Sequence, residues 1–304
     1  MRSPATGDTS LRVGPPVSSR RGILAISEST ARAVRVSLGW VFPGETPVKV
    51  VLLAGGFGTR LSEETSRMPK PMVEIGGRPI LVHIMELYSY HGFKDFVVAC
   101  GYLGHVIKDY FARFSLQNFD FSVDLGTGET TVLERNAVDW RVALIDTGLD
   151  TMTGGRLSRV GPHLGETTFL ATYGDGLADI DIQDLVDFHK RHGKLATITA
   201  VRPEARFGSL SIEDRRVVGF EEKVVSSQAW INGGFFVLEP EVLSYIENDV
   251  PFERAPLEGL ARDGELMAFE HDGFWKPMDT LRDKRELERL WESGHAPWVP
   301  STQP

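Results

Sequence analysis

The chain has 304 residues, 41% of them apolar and 25% charged, with a formal net charge of −9. Such a length and balance suit a globular protein with one large core or a core and a smaller annex, and the acidic excess argues against nucleic acids and anionic membranes as general partners, because both favour basic surfaces. Cys100 is the only cysteine, which excludes an intramolecular disulfide and a cysteine-based metal site, and with no apolar run of about 18 residues and no signal-peptide segment the expected location is the cytoplasm.

Residues 1–46 read as a disordered N-terminal extension, since Pro15-Pro16, Ser18-Ser19 and Arg20-Arg21 interrupt any periodicity. Arg20-Arg21 before Gly22-Ile23-Leu24 has the outline of a twin-arginine export signal, but Glu28, Arg32 and Arg35 break the apolar stretch that such a signal needs. A translation start set too far upstream is a plainer alternative. The domain proper is expected over 47–298, with 299–304 as a tail.

The first strand of that domain covers 48–53 and is apolar and β-branched, as a buried strand should be. It empties into Gly55-Gly56-Phe57-Gly58-Thr59-Arg60, a turn whose bare backbone N–H groups can approach phosphate closely. Arg60 offers a planar fork for phosphate, and Lys70, held between Pro69 and Pro71, is a second cation for the same loop. A Walker A loop would place Lys-Ser or Lys-Thr after Gly58, and a dinucleotide fingerprint would need a glycine where Leu61 stands. Neither template fits, so an oxidoreductase of the dinucleotide-binding type is disfavoured.

Strand-like runs and amphipathic helices then alternate, which predicts an open α/β sheet. Helices are expected over 79–91, 104–114, 154–163 and between Asp181 and Gly193, and strands over 95–100, 141–145, 168–172 and 195–201, with a hairpin within 119–133 around Gly126-Thr127-Gly128. From 207 to 238 short strands separated by turns predict a small antiparallel sheet over the acceptor side of the pocket. Helices near 240–247, 256–263 and 280–292 close the chain.

Two aspartates stand out. Asp175, between Gly174 and Gly176, ends a strand at the sheet edge where open α/β folds bind ligands, although an aspartate in a turn also caps helices. Asp279 precedes the last helix and has the same alternative, which the following Thr280 can supply instead. The eight histidines show no zinc spacing, and His189 is a helix-face residue. A second glycine turn, Met152-Thr153-Gly154-Gly155-Arg156, can start a helix whose N-terminus adds favourable N–H groups.

Gly55-Gly56-Phe57-Gly58-Thr59-Arg60-Leu61 followed by Pro69-Lys70-Pro71 resembles the signature of the sugar-nucleotide pyrophosphorylases, or sugar-1-phosphate nucleotidyltransferases. The stretch Asp146-Thr147-Gly148 to Arg156, and the stretch Phe269-Glu270-His271 to Asp283, resemble segments that distinguish the glucose-1-phosphate cytidylyltransferase branch. The similarity covers about 48–298.

It implies a Rossmann-like, mostly parallel mixed sheet with flanking helices (GT-A-like), and the reaction of CTP with glucose 1-phosphate. It also implies Mg²⁺ on Asp175 and Asp279, and a homo-oligomer of up to six copies. Arg60 and Lys70 become the catalytic cations, and the nucleotide is held by Leu53, Ala54, Gly55, Gly56, Phe57, Gly58, Thr59, Arg60, Lys70, Thr151, Arg156 and Gly174. Glu222, Lys223, Asn232 and Gly233 take the sugar phosphate. The family's first lysine of Lys-Pro-Lys-Pro is Met68 here, and the proline after Glu-Lys is Val224. Transfer from UTP, dTTP or GTP, another sugar phosphate as acceptor, and a catalytically silent binding subunit are the alternatives.

Overall fold

Seven strands form the central sheet of the computed structural model, which describes residues 47–133, 138–203, 209–213, 216–221 and 229–300. The expected extension over 1–46, the end of the tail and the Glu222-Lys223 pair lie outside the described residues. In chain order the strands are β1 (Lys49–Ala54), β2 (Asp95–Cys100), β3 (Arg141–Asp146), β4 (Phe169–Tyr173), β5 (Ala196–Val201), β6 (Ile231–Leu238) and β7 (Leu266–His271). Their order across the sheet is β7-β5-β6-β4-β1-β2-β3, and β6 alone runs antiparallel to its neighbours. This is the mixed, mostly parallel sheet expected from the sequence.

The main helices are α1 (Ile80–Tyr90), α2 (Gly104–Ala112), α3 (Thr153–Val160), α4 (Ile182–His192), α5 (Ala255–Arg262) and α6 (Leu281–Glu292). Both faces of the sheet are covered, because successive strand side chains point to opposite sides. Val50, Leu52, Phe96 and Val98 pack on one side with Ile84 of α1, Leu185 of α4 and Leu287 of α6. Val51, Leu53, Val97 and Ala99 pack on the other with Leu157 of α3 and Leu260 of α5. The unbroken apolar run Val50–Ala54 of β1 therefore has a physical cause in two buried faces.

Three local features differ from expectation. The segment 230–238 joins the central sheet as β6, between β5 and β4, so only the hairpin of Ser209–Glu213 with Arg216–Glu221 remains of the small antiparallel sheet expected there. Residues 240–245 form a 3₁₀ helix, and β7 is a strand that the sequence pattern did not reveal. The expected hairpin within 119–133 is present, pairing Phe121–Val123 with Thr130–Val132.

The chain reverses its order at β1, from which the sequence proceeds to β2 and β3 on one side while β4 lies on the other. In such sheets the crevice for ligands opens at the carboxyl ends of the strands flanking that switch point. The loops after β1, β3 and β4 do meet there.

Candidate active site

A cleft of about 750 Å³ opens at that edge, within the range of small-molecule sites. It is lined by Leu53, Ala54 and the turn from Gly55 to Arg60 after β1, by Leu149 to Thr153 and Arg156 after β3, by Tyr173, Gly174 and Asp175 after β4, and by Lys70, Asn232, Trp275 and Asp279. The turn is shaped by Gly58, whose φ of +63° suits glycine and whose carbonyl accepts from Leu61 N at 2.9 Å and Thr65 Oγ1 at 3.1 Å. Close approach explains Gly174, where an added Cβ would sit 3.0 Å from Pro71 and 3.1 Å from the Leu53 carbonyl oxygen.

Lys70 is the hinge of the charge arrangement. Its Nζ donates to Asp175 Oδ2 at 2.6 Å and to Asp279 Oδ1 at 2.8 Å, while Arg60 Nη1 reaches Asp279 Oδ2 at 2.9 Å. Burial opposes the charge on Lys70, but the field of Asp175 and the hydrogen bonds to both carboxylates outweigh it and hold the ammonium above its ordinary pKa. Among the described residues two cations thus face two anions around one point, and all four line the cleft.

Capping does not explain either aspartate. Asp181 caps α4 by accepting from Asp184 N at 2.9 Å, and Thr280 caps α6 in a reciprocal capping box with Asp283. The two carboxylates are brought together by a short antiparallel ribbon in which Gly176–Ala178 pairs with Trp275–Pro277, and Met278 N donates to the Asp175 carbonyl at 2.9 Å. Among the described residues no group of three or more His, Cys, Asp or Glu side chains forms a protein-only metal cage. A carboxylate pair already shared by one cation suits a divalent cation whose other ligands are water and phosphate oxygen.

Arg156 lines the cleft wall, but its guanidinium is committed inward. It makes five hydrogen bonds, to the carbonyls of Cys100 at 3.3 Å, Gly148 at 2.8 Å, Gly55 at 2.9 Å and Leu149 at 3.1 Å, and to Thr147 Oγ1 at 2.7 Å. A Cβ at Gly55 would lie 2.2 Å from Arg156 Nη1, so the glycine turn makes room for this cation. Arg156 therefore ties together the loops that follow β1, β2 and β3. Thr151 is held in the same loop by Arg159 Nη1 at 2.6 Å.

On the other side of the cleft, Asn232 Nδ2 donates to the Tyr173 hydroxyl at 3.0 Å, and the Gly233 carbonyl accepts from Trp275 Nε1 at 2.7 Å. Residues that sequence reasoning missed are Tyr173, Thr153, Trp275 and, outside the lining, Asp249 and Glu253. Asp249 Oδ1 accepts from Met152 N at 2.8 Å, and Glu253 accepts from Thr153 Oγ1 at 2.6 Å and from the Tyr173 hydroxyl. Thr153 and Trp275 stood inside stretches already singled out.

The fold and this cluster of phosphate loop, paired cations and paired carboxylates are those of an enzyme acting on nucleotides. The chain belongs to the nucleotidyl transferase family, whose sequence profile matches residues 49–275. It is similar to the glucose-1-phosphate cytidylyltransferase of Salmonella typhi, at 56% identity over 253 residues covering 83% of this chain and 98% of that protein. Similarity to the mannose-1-phosphate guanyltransferase of Emericella nidulans is lower, 30% over 250 residues, covering 78% of this chain and 62% of that one. In fold it matches the UDP-glucose pyrophosphorylase from Acinetobacter baumanii with a TM-score of 0.60 at 15% identity, covering 84% of this chain and 96% of that structure.

Proposed function

We propose that this chain transfers the cytidylyl group of CTP to α-D-glucose 1-phosphate, giving CDP-glucose and pyrophosphate. The carrying observation is the single cleft in which the Gly55–Arg60 turn, Lys70, Asp175 and Asp279 converge. Identity of 56% to a glucose-1-phosphate cytidylyltransferase, against 30% to a guanyltransferase, favours CTP as donor.

The acceptor phosphate has a second pKa of about 6, so its attacking oxygen is anionic at neutral pH and no general base is needed. What the protein must overcome is repulsion between two polyanions aligned for in-line displacement at the α-phosphorus. The Gly55–Arg60 turn and Arg60 bind the β- and γ-phosphates, and Lys70 counters charge developing at the α-phosphate. Asp175 and Asp279 would hold a divalent cation, Mg²⁺, which supplies Lewis-acid neutralisation of the triphosphate. Leu149, Met152 and Phe57 are exposed apolar side chains on the cleft, a surface suited to the face of a base.

Asn232, Gly233, Glu222 and Lys223 receive the glucose phosphate, the last two from outside the described residues. The chain acts in the cytoplasm as a homo-oligomer of up to six copies, and Phe121, Val123 and Leu125, exposed on the hairpin, are the apolar surface that such association would bury. Among the described residues no helix is long and apolar enough to cross a membrane.

The test is pyrophosphate release with glucose 1-phosphate and Mg²⁺, offering CTP, UTP, dTTP, ATP and GTP separately and identifying the nucleotide sugar. CTP should be preferred. Preference for another triphosphate would overturn the donor, and no turnover with any of them would overturn the reading.

A further inference from the structure

A chain of hydrogen bonds links the donor side of the cleft to its acceptor side. On the donor side, Thr153 at the start of α3 donates from Oγ1 to Glu253 Oε2 at 2.6 Å and accepts from Phe252 N at 2.8 Å. On the acceptor side, the Tyr173 hydroxyl donates to Glu253 Oε1 and accepts from Asn232 Nδ2 at 3.0 Å. Asn232 Oδ1 in turn accepts from Gly234 N at 2.7 Å. Thr153, Tyr173 and Asn232 line the cleft, and Glu253, which is exposed, is outside that lining.

The direction of this chain follows from the chemistry of its end. A carboxylate accepts and does not donate, so the Tyr173 phenol must spend its proton on Glu253 and offers only a lone pair to Asn232. Burial and the Glu253 charge both keep that phenol protonated, which preserves it as a donor. Asn232 is then obliged to turn its NH₂ toward Tyr173 while its carbonyl oxygen stays on the Gly234 N–H. Among the described residues one amide proton is used, and the other N–H is open to a ligand. Tyr173 has little freedom to move away, because its ring packs edge-on to Phe236 at 5.8 Å and lies where a Cβ on Gly234 would fall, 2.3 Å from Tyr173 Cδ2.

We propose that Glu253 is a positioning residue for the acceptor: acting through Tyr173, it fixes the Asn232 amide so that its remaining N–H donates to a hydroxyl oxygen of glucose 1-phosphate. This rests on the reaction assigned above.

Steady-state kinetics of the full chain with Glu253→Ala, Glu253→Gln, Tyr173→Phe and Asn232→Ala test the assignment. Glu253→Ala and Tyr173→Phe should each raise KM for glucose 1-phosphate about tenfold or more, the scale of one charge-assisted hydrogen bond, with kcat and KM for CTP changed less than about threefold. Glu253→Gln should recover most of the loss, since its amide oxygen still accepts from Tyr173, and adding Glu253→Ala to Asn232→Ala should cost nothing further.

The proposal is overturned if Glu253→Ala leaves KM for glucose 1-phosphate within about twofold of wild type. It is equally overturned if KM for both substrates rises in parallel with a lower melting temperature, or if the Asn232 and Glu253 effects simply multiply. Tyr173→Phe keeps the ring in place and gives a reading even where Glu253→Ala folds poorly. A wild-type protein inactive with CTP and glucose 1-phosphate sinks the reaction itself, and this inference with it. An active wild type with an unaffected Glu253→Ala sinks the inference alone.

Discussion

Two polar clusters sit at opposite edges of the same sheet. At the carboxyl edge, Lys70, Arg60, Asp175 and Asp279 are formally charged and open to the cleft. At the amino edge, His189, His192, Thr197, Thr168 and Glu239 form a chain running from α4 to the starts of β4 and β5 and the end of β6. There the protons can be traced. Lys194 N donates to His192 Nδ1, so His192 donates from Nε2 to Thr197 Oγ1. The Thr197 proton goes to His189 Nδ1, and His189 Nε2–H reaches Glu239, which also accepts from Thr168. Every proton of that chain has a destination inside the protein, whereas the charges of the cleft are balanced against one another and remain accessible to a ligand. Burial of polar groups therefore marks a strut in one place and a site in the other.

The comparison breaks most sharply by mutation. Lys70→Ala and Asp175→Ala should each lower turnover at least about a hundredfold, the loss expected for one major electrostatic contact, as measured by pyrophosphate release. Near-normal turnover in both would remove the carboxyl-edge cluster from catalysis. Thr197→Val should do the reverse, losing about 1–3 kcal/mol in urea unfolding by leaving buried partners unsatisfied while turnover stays within about twofold of wild type.

Acid sharpens the contrast. Burial, with the nearby His189 and Lys194, holds His192 below its ordinary pKa of 6.5, and burial, with Arg78, does the same for His83 despite its bond to the Ile75 carbonyl. Groups depressed on folding bind protons more readily when unfolded, so stability is complete above pH 6.5 and is lost as pH falls through and below that value. Lys70 is displaced the other way, and its contribution, present below its ordinary pKa of 10.5, is lost only as pH rises beyond it. The melting temperature should fall by roughly 2–4 °C between about pH 7.5 and 5.5, and less in a His192→Gln variant. A flat profile would contradict the neutral assignment at the amino edge. The smallest structural effect belongs to Arg60, which is exposed. Arg60→Gln should change stability by less than about 1 kcal/mol while raising KM for CTP severalfold.

Most of the parallel sheet was legible because its strands are buried on both faces and so appear as unbroken apolar runs, as in β1 and β2. β7 was not, since it is an edge strand whose residues are only partly covered and whose pattern blends into the segment that follows. In β6 the strand was visible but its antiparallel place beside β4 was not, because register depends on a distant partner. The charged cluster was readable from its glycine turn and its Asp-Gly and Met-Asp-Thr contexts. Arg156 was recognised as a cation, but nothing local says that its donors end on backbone carbonyls. Glu253 and Tyr173 left no signal at all, since their bond depends on how the 249–253 segment docks against α3.

The ribbon of Gly176–Ala178 with Trp275–Pro277 has a consequence for the order of events during synthesis. Lys70 and Asp279, which share a hydrogen bond, are separated by 209 positions in the chain, and contacts of such separation form late because loop closure must come first. A nascent chain emerging from the ribosome can present its glycine turn, Lys70 and Asp175 long before Asp279 arrives just past the second strand of the ribbon. The two negative groups become a pair only after the segment that follows β7 has been made, so the charge constellation is completed well after the glycine turn that begins it.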